Sequence, residues 1–220
     1  LPALGIGHAL DPRPPAAGQI RREIRASSLS ILIFGVGTLV PWGMLRLGWT
    51  QLAQNPSLWR VILETAALFL WNEFYFYVSH RLLHTRWLRR FHRSHHRSHV
   101  PTPFSTYAFH PVEAVMVGSM PLFAMLVHDF SLATLVTMSV GSIVVNGLGH
   151  CNYAIGHRTS TDGWFAFSRR HQQHHALSRG NYGFVLDIVD RCGGTLIAAD
   201  AIESKRPPHT PGSVRHDRTS

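Results

Sequence analysis

Residues 73–96 read EFYFYVSHRLLHTRWLRRFHRSHH, an apolar and aromatic stretch that continues directly into a histidine-rich segment. A further cluster, HQQHH, lies at residues 171–175. Side chains at positions i, i+3 and i+4 of a helix share one face, so each cluster can direct its ring nitrogens towards a common point. The spacing therefore marks eight candidate metal ligands, which are His80, His84, His92, His95, His96, His171, His174 and His175.

The number of these histidines bears on the number of metal ions. Imidazole suits iron, zinc, copper and nickel, and a tetrahedral zinc ion uses only four ligands. We therefore predict two metal ions. A basic membrane-surface patch does not account for the repeated spacing. The isolated histidines are expected to be ordinary surface or core residues, and they are His8, His128, His209 and His216.

The composition predicts a membrane protein. Charged residues make up only 15% of the 220 residues, against about 25% in soluble domains. Four apolar stretches, at about 28–49, 58–79, 111–127 and 130–149, each approach the ~20 residues that cross a bilayer. We predict an all-α fold for residues 28–202, in which an integral-membrane four-helix bundle carries a cytosolic helical cap with a histidine-ligated di-metal site. Residues 1–27 are expected to be a mostly irregular cytosolic lead-in, and residues 203–220 a disordered tail.

The net charge is +9, and the basic residues are distributed along the sequence as in a membrane protein. Arginines precede the first apolar stretch and follow the second and the fourth, whereas the intervening turns hold few. This is the positive-inside pattern of a four-span protein with both ends in the cytoplasm. The histidine clusters then share the cytoplasmic face, and nucleic acid is not an expected partner.

Other metal and cofactor signatures are missing from the sequence. It contains no HExxH motif of zinc proteases, no HxE paired with PCxxC as in zinc deaminases, and no GxxxxGK[ST] phosphate loop. The two cysteines, Cys151 and Cys192, are too few and too distant for a disulfide framework and are expected to be free thiols.

The order of the motifs resembles the fatty-acid hydroxylase and sterol desaturase superfamily of integral-membrane di-metal oxygenases. The resemblance spans roughly residues 68–198. Besides the clusters, it includes His110-Pro-x-Glu113, Asn146 with His150, Asn181-Tyr-Gly183, Asp190-Arg191 and Gly194-Thr195. It implies that His150 is a ninth ligand, with His157 a weaker candidate because its spacing departs from the family pattern.

The resemblance also implies the chemistry. It implies two Fe ions, for which Zn can substitute, with O2 as co-substrate and a C–H bond of a membrane lipid as the point of attack. Both hydroxylation and desaturation occur in the superfamily. Electrons are expected from a separate donor such as cytochrome b5 or a ferredoxin. Sterol, fatty acyl, sphingoid and carotenoid substrates all remain open.

Ligating histidines usually donate their second ring N–H to a carboxylate or carbonyl. Glu73, Asp187 and Asp190 are the candidate acceptors in the sequence. Glu73 lies about 10 Å along the helix from His80, at 1.5 Å per residue, so direct contact between these two is not expected, whereas contact of Glu73 with another histidine cluster stays open.

Two other functions compete with a lipid oxidase. One is a zinc-binding or zinc-transporting membrane protein, although a transporter would place its ligands near the bilayer midplane and these clusters lie beyond the helix ends. The other is a family member that has lost activity and serves as a scaffold, which the presence of all eight clustered histidines disfavours.

Overall fold

The computed structural model describes residues 7–154 and 166–198, and these are mostly helical. The helices are α1 (Gln19–Gly37), α2 (Leu39–Arg46), α3 (Leu58–Leu83), α4 (Arg89–His92), α5 (Pro111–Gly118), α6 (Met120–Met125), α7 (Leu132–His150), α8 (Phe167–Leu177) and α9 (Ile188–Cys192). Short 3-10 helices occupy His95–Arg97 and Pro103–Ser105. Two two-residue strands, β1 (His8–Ala9) and β2 (Tyr153–Ala154), pair antiparallel.

Three helical segments within the described residues are long and apolar enough to cross a membrane: Gln19–Arg46, Leu58–Leu83 and Leu132–His150. Only 11%, 22% and 11% of their most apolar windows are buried inside the protein. Large side chains such as Leu32, Leu70 and Ile143 are therefore exposed. A soluble monomer rarely exposes so much contiguous apolar surface, so these helices indicate an integral membrane protein.

The first apolar helix begins earlier in the sequence than we expected. We expected residues 1–27 to be mostly irregular, but α1 already starts at Gln19. The reason is tertiary: Gln19 Nε2 donates to Val100 O at 2.8 Å and to Glu23 Oε1 at 2.7 Å. These buried contacts order a polar turn that composition alone marks as loop. The same segment is divided at Thr38, where α1 gives way to α2.

The expected third span, residues 111–127, is not one long helix. It consists of α5 and α6, which meet at Ser119. Pro121 follows immediately, and proline cannot donate the backbone hydrogen bond that a continuous helix needs. This pair is the shorter apolar segment Pro111–Met125.

The long helices place the histidines at one end of the molecule, which we call the histidine end. Helix α3 packs against α6 and α7, and α1 packs against α5. Both α3 and α7 end here: His80 lies in the last turn of α3, and His150 is the last residue of α7. At the opposite end, Glu64 Oε2 accepts hydrogen bonds from Ser131 Oγ at 3.0 Å and Thr134 Oγ1 at 2.7 Å. The two helices are thus fixed side by side in the same direction.

The apolar core lies in the half of the molecule away from the histidines. Its buried members are Met44, Leu68, Ala124, Met125, Phe130 and Met138. Local capping sets where the helices start: Ser57 Oγ accepts from Arg60 N and Ser131 Oγ from Thr134 N, each at 3.2 Å. A side-chain oxygen before the first turn satisfies a backbone N–H that has no partner within the helix.

Candidate metal centre

The nine histidines that we predict to be ligands lie in two adjoining groups. Group one contains His80, His84, His92, His96 and His174, and group two contains His95, His150, His171 and His175. In each group, one ring nitrogen per residue lies within 4.8 Å of every other. All are buried except His84, which is half-buried. His157 lies outside the described residues.

Five elements supply the side chains, and one of them is α4, which ends in His92. His80 and His84 stand one turn apart at the end of α3, and His150 ends α7. His95 and His96 are neighbours in the chain but belong to different groups. They sit in a 3-10 helix, where consecutive side chains diverge by about 120° because each turn holds three residues. The adjacent pair in α8, His174 and His175, divides in the same way.

The Nε2 atoms within each group are close together. In group one, the distances are 3.1 Å for His80–His92, 2.9 Å for His92–His96, 3.0 Å for His96–His174 and 3.1 Å for His84–His174. In group two, they are 2.9 Å for His150–His171 and 3.1 Å for His171–His175. Metal–nitrogen bonds of about 2.1 Å that meet at a right angle hold two nitrogens about 3 Å apart. The spacing therefore fits ligands of a common ion.

The second ring nitrogen fixes the protonation of several rings. His80 Nδ1 lies 2.8 Å from Tyr182 O, His174 Nδ1 2.6 Å from Gly180 O, and His150 Nδ1 2.8 Å from Asn146 O. A carbonyl oxygen only accepts, so Nδ1 must carry the hydrogen. Each Nε2 is then a bare lone pair facing its neighbours at about 3 Å. A cation between them would turn this repulsive arrangement into a favourable one, so the donor set fits bound metal.

Burial keeps these rings neutral, which metal binding requires. Burial lowers the pKa of His84 to about 4 and that of His96 to about 3. In the more deeply buried rings outside the apolar helices, burial and then the neighbouring histidines hold the pKa well below its ordinary value; these are His92, His95, His171, His174 and His175.

One carboxylate contacts a candidate ligand directly, and our sequence interpretation missed its role. Glu113 Oε1 lies 2.6 Å from His92 Nδ1, and both side chains are buried. Glu113 sits in the first turn of α5, which begins at Pro111 with His110 as its cap. The sequence signal was the motif His110-Pro-x-Glu113, which we included in the family resemblance without assigning a partner to Glu113.

The three acceptors proposed from the sequence have other partners. Glu73 Oε2 accepts from the backbone N–H groups of Val185 and Leu186 at 2.9 and 2.7 Å. Asp187 pairs with Arg191 at 2.9 Å. In neither case does the structure give the carboxylate a histidine partner among the described residues, so these expectations of direct contact are wrong.

Asp190 acts on the site indirectly. Its carboxylate accepts from Tyr182 N at 2.8 Å and Gly183 N at 2.7 Å, and from Thr195 Oγ1 at 2.7 Å. Tyr182 supplies the carbonyl oxygen that fixes His80. The buried Asp190 therefore holds the loop that orients a group-one histidine, without touching the ring itself.

Apolar helices whose ends carry two adjoining groups of neutral imidazoles define a helical membrane protein with a site able to bind metal. Comparison with known proteins narrows the class. The family model described as fatty acid hydroxylase matches residues 65–195. The chain therefore belongs to the fatty acid hydroxylase family, and its resemblance to the wider hydroxylase and sterol desaturase superfamily is confirmed.

Individual relatives agree with this family. The chain is 31% identical over 194 residues to a Delta(7)-sterol 5(6)-desaturase of Eremothecium gossypii, covering 83% of this chain and 52% of the relative. It is 27% identical over 217 residues to human lathosterol oxidase, covering 91% and 69%. The chain thus spans about half the length of the fungal relative. No solved structure matches the chain.

Proposed function

We propose that this protein is a membrane-bound, non-haem di-iron oxidoreductase that hydroxylates or desaturates a C–H bond of a membrane lipid. The observation that carries the proposal is the pair of histidine groups, in which Nε2 atoms of neighbouring rings lie 2.9–3.1 Å apart. A sterol is the substrate class favoured by the names of the Eremothecium gossypii and human relatives, which are a sterol desaturase and lathosterol oxidase.

In this proposal all nine histidines are metal ligands, five for one ion and four for the other. Two bound iron ions would supply O2 activation. The overall reaction then balances as follows: a C–H bond, O2, two electrons and two protons give an alcohol and one water. For desaturation, two adjacent C–H bonds are lost and two waters form. The electrons come from a separate donor, for which cytochrome b5 or a ferredoxin is suitable.

The protein's own residues orient and shield the site. Backbone oxygens of Tyr182, Gly180 and Asn146 hold the rings of His80, His174 and His150 with Nε2 inwards. Glu113 does the same for His92. Such outer partners raise the basicity of a ligating imidazole. Burial of the rings excludes bulk water from the reacting carbon.

The arrangement in the membrane is also part of the proposal. The three long helices and the shorter α5–α6 pair would form a four-helix bundle, with α4, α8 and α9 as a cap on the cytoplasmic face. The basic segment of residues 81–97 supports that orientation, because positively charged residues favour the cytoplasmic side. The histidine groups lie at the helix ends, where a lipid could enter from the bilayer and a soluble electron donor from the cytoplasm.

The decisive experiment combines metal analysis with turnover. Protein purified anaerobically should contain two irons per chain and consume O2 when given a reductant and a sterol, and the product should be identified by mass spectrometry. A zinc-binding protein without redox activity would take up metal but would consume no O2 with any lipid that is added as substrate. Substitution of His95 or His174 by Ala should abolish turnover, and unchanged turnover in either variant would refute the ligand assignment.

A further inference from the structure

A cavity of about 670 Å³ lies between α3 and α7. Small-molecule sites typically occupy about 300–1,000 Å³ and are mostly apolar with a few polar groups. Along α3, the lining runs from Leu58 to Glu73, a distance of about 22 Å at 1.5 Å per residue. Lipid-facing helices form both walls, so the cavity is suited to an elongated apolar molecule.

Polarity within the cavity is uneven. The part near the opposite end is lined mainly by apolar side chains such as Leu58, Ile62 and Phe69, together with the hydroxyl-bearing Thr65 and Thr137. Asn72, Glu73 and Asn146 line the part nearest the histidine end. Polar and ionisable groups inside a membrane span are costly and usually mark a ligand or ion path. An amphipathic ligand would therefore lie with its polar group towards the histidines.

Glu73 gives this polar end a binding group. Its side chain is buried, at 2% exposure. One carboxylate oxygen, Oε2, is held by the Val185 and Leu186 N–H groups. The other, Oε1, has no hydrogen-bond partner among the described residues. A buried acceptor without a partner costs free energy. Oε1 has almost no accessible surface, so a ligand hydroxyl would remove that cost once the carboxyl group turns towards the cavity.

The polar end adjoins group two of the histidines. Phe184 lines the cavity, and its ring packs against His171 at 4.9 Å and His150 at 5.9 Å between centroids. Asn146, which also lines the cavity, supplies the oxygen that holds His150. A ligand whose polar group reaches Glu73 thus has its neighbouring carbons beside Phe184, next to group two.

From these contacts we propose that Asn72 and Glu73 bind a hydroxyl group of the lipid substrate. This inference rests on the proposed function for the role of the ligand as substrate. The substrate is then a hydroxyl-bearing lipid whose oxidised carbon lies close to its hydroxyl, while its hydrocarbon extends towards Leu58. Asn72 and Glu73 are specificity-determining residues in this account.

Binding measurements test the inference without turnover. The iron-loaded protein, kept under nitrogen in detergent micelles, is given four radiolabelled probes in two pairs: cholesterol with 5α-cholestane, and 1-octadecanol with octadecane. We expect the protein to retain the hydroxylated member of at least one pair about tenfold more than its hydrocarbon, the effect of one or two hydrogen bonds. The pair that shows the preference distinguishes a sterol from a linear alcohol.

Variants assign the preference to residues. Asn72→Leu and Glu73→Gln should each reduce it to about threefold or less. Thr137→Val, which removes a hydroxyl from the same cavity nearer the opposite end, should leave it at about tenfold. Iron content equal to that of the unmodified protein verifies folding.

Equal retention within both pairs, or a preference that persists in both Asn72→Leu and Glu73→Gln, would overturn the inference. A hydroxyl preference in a protein that lacks iron and oxidase activity would refute the proposed function while leaving the binding site intact.

Discussion

Glu113 Oε1 lies 2.6 Å from Nδ1 of His92, and the two side chains are 2% and 3% exposed. The pair joins the first turn of α5 to the end of α4. If the carboxylate accepts the Nδ1 hydrogen, the Nε2 lone pair of His92 faces His80 and His96. A single buried contact thus couples a membrane-side helix to the orientation of a candidate ligand.

Replacing Glu113 by Gln should weaken metal binding at group one by about ten- to a hundredfold, as for other carboxylates behind a ligating histidine. Glutamine preserves the size of the side chain, so the helices should still form. The measurement is the rate and extent of iron loss to a chelator.

Glu64→Gln is the matched control, because Glu64 is also buried but lies at the opposite end with Ser131 and Thr134. That variant should lower thermal stability and leave iron affinity unchanged; equal iron loss from both variants would contradict the role given to Glu113.

Gly149 tests the packing beside group two. A Cβ atom at this position would come within 2.3 Å of Phe184 Cζ, whereas one at Gly147 would meet nothing within 4 Å. Gly149→Ala should therefore displace the Phe184 ring from His150 and His171, destabilise the protein by about 1–3 kcal/mol and reduce lipid turnover. Gly147→Ala should be neutral or more stable by up to about 1 kcal/mol. Thermal unfolding and turnover measure both effects, and similar behaviour of the two variants would show that Phe184 does not constrain the site.

Much of the site follows from spacing in the sequence. The i, i+3, i+4 pattern selected eight histidines, and the family resemblance added His150. Spacing does not reveal how the nine histidines divide between group one and group two, because His95 and His96 enter different groups only through the local 3-10 turn. It also does not reveal Glu113, whose contact with His92 depends on how α5 packs beside α4.

The fold was predictable where apolar length dominates and not where tertiary contacts do. Helices α3 and α7 follow closely from two long apolar stretches. The start of α1 does not, since Gln19 and Glu23 are polar and gain their order from Val100, Ser98 and distant chain segments. The break between α5 and α6 had a signal in Pro121, which the apolar composition of residues 111–127 outweighed.

Glu23 is expected to hold the segment that carries His95 and His96. Its carboxylate accepts from Ser98 Oγ and Thr102 Oγ1, each at 2.6 Å, and from Gln19 Nε2. Glu23→Ala leaves these buried donors without an acceptor and should cost roughly 3 kcal/mol. The readouts are the thermal midpoint and tryptic cleavage after Arg93 and Arg97, which should accelerate.

Arg22→Ala is the control for that experiment. Arg22 lies beside Glu23 on α1 and donates to Arg97 O at 3.3 Å, but at an exposed position. Loss of such a surface contact usually changes stability by less than about 0.5 kcal/mol. If trypsin cut both variants at the same rate, the anchoring role of Glu23 would be wrong.

The division into two groups predicts different losses from neighbouring substitutions. His96→Ala should weaken the ion held by group one, and His95→Ala the ion held by group two. Mössbauer spectra of protein loaded with iron-57 should therefore lose a different component in each variant. Loss of the same component from both would mean that the two groups do not hold separate ions.

The central claim is that the nine histidines hold two redox-active ions at the helix ends, and the iron content of the unmodified protein tests it most directly. After anaerobic purification, with helical content verified by circular dichroism, we predict two irons per chain. Fewer than one iron per chain in fully folded protein that cannot be reconstituted with ferrous iron would contradict the account.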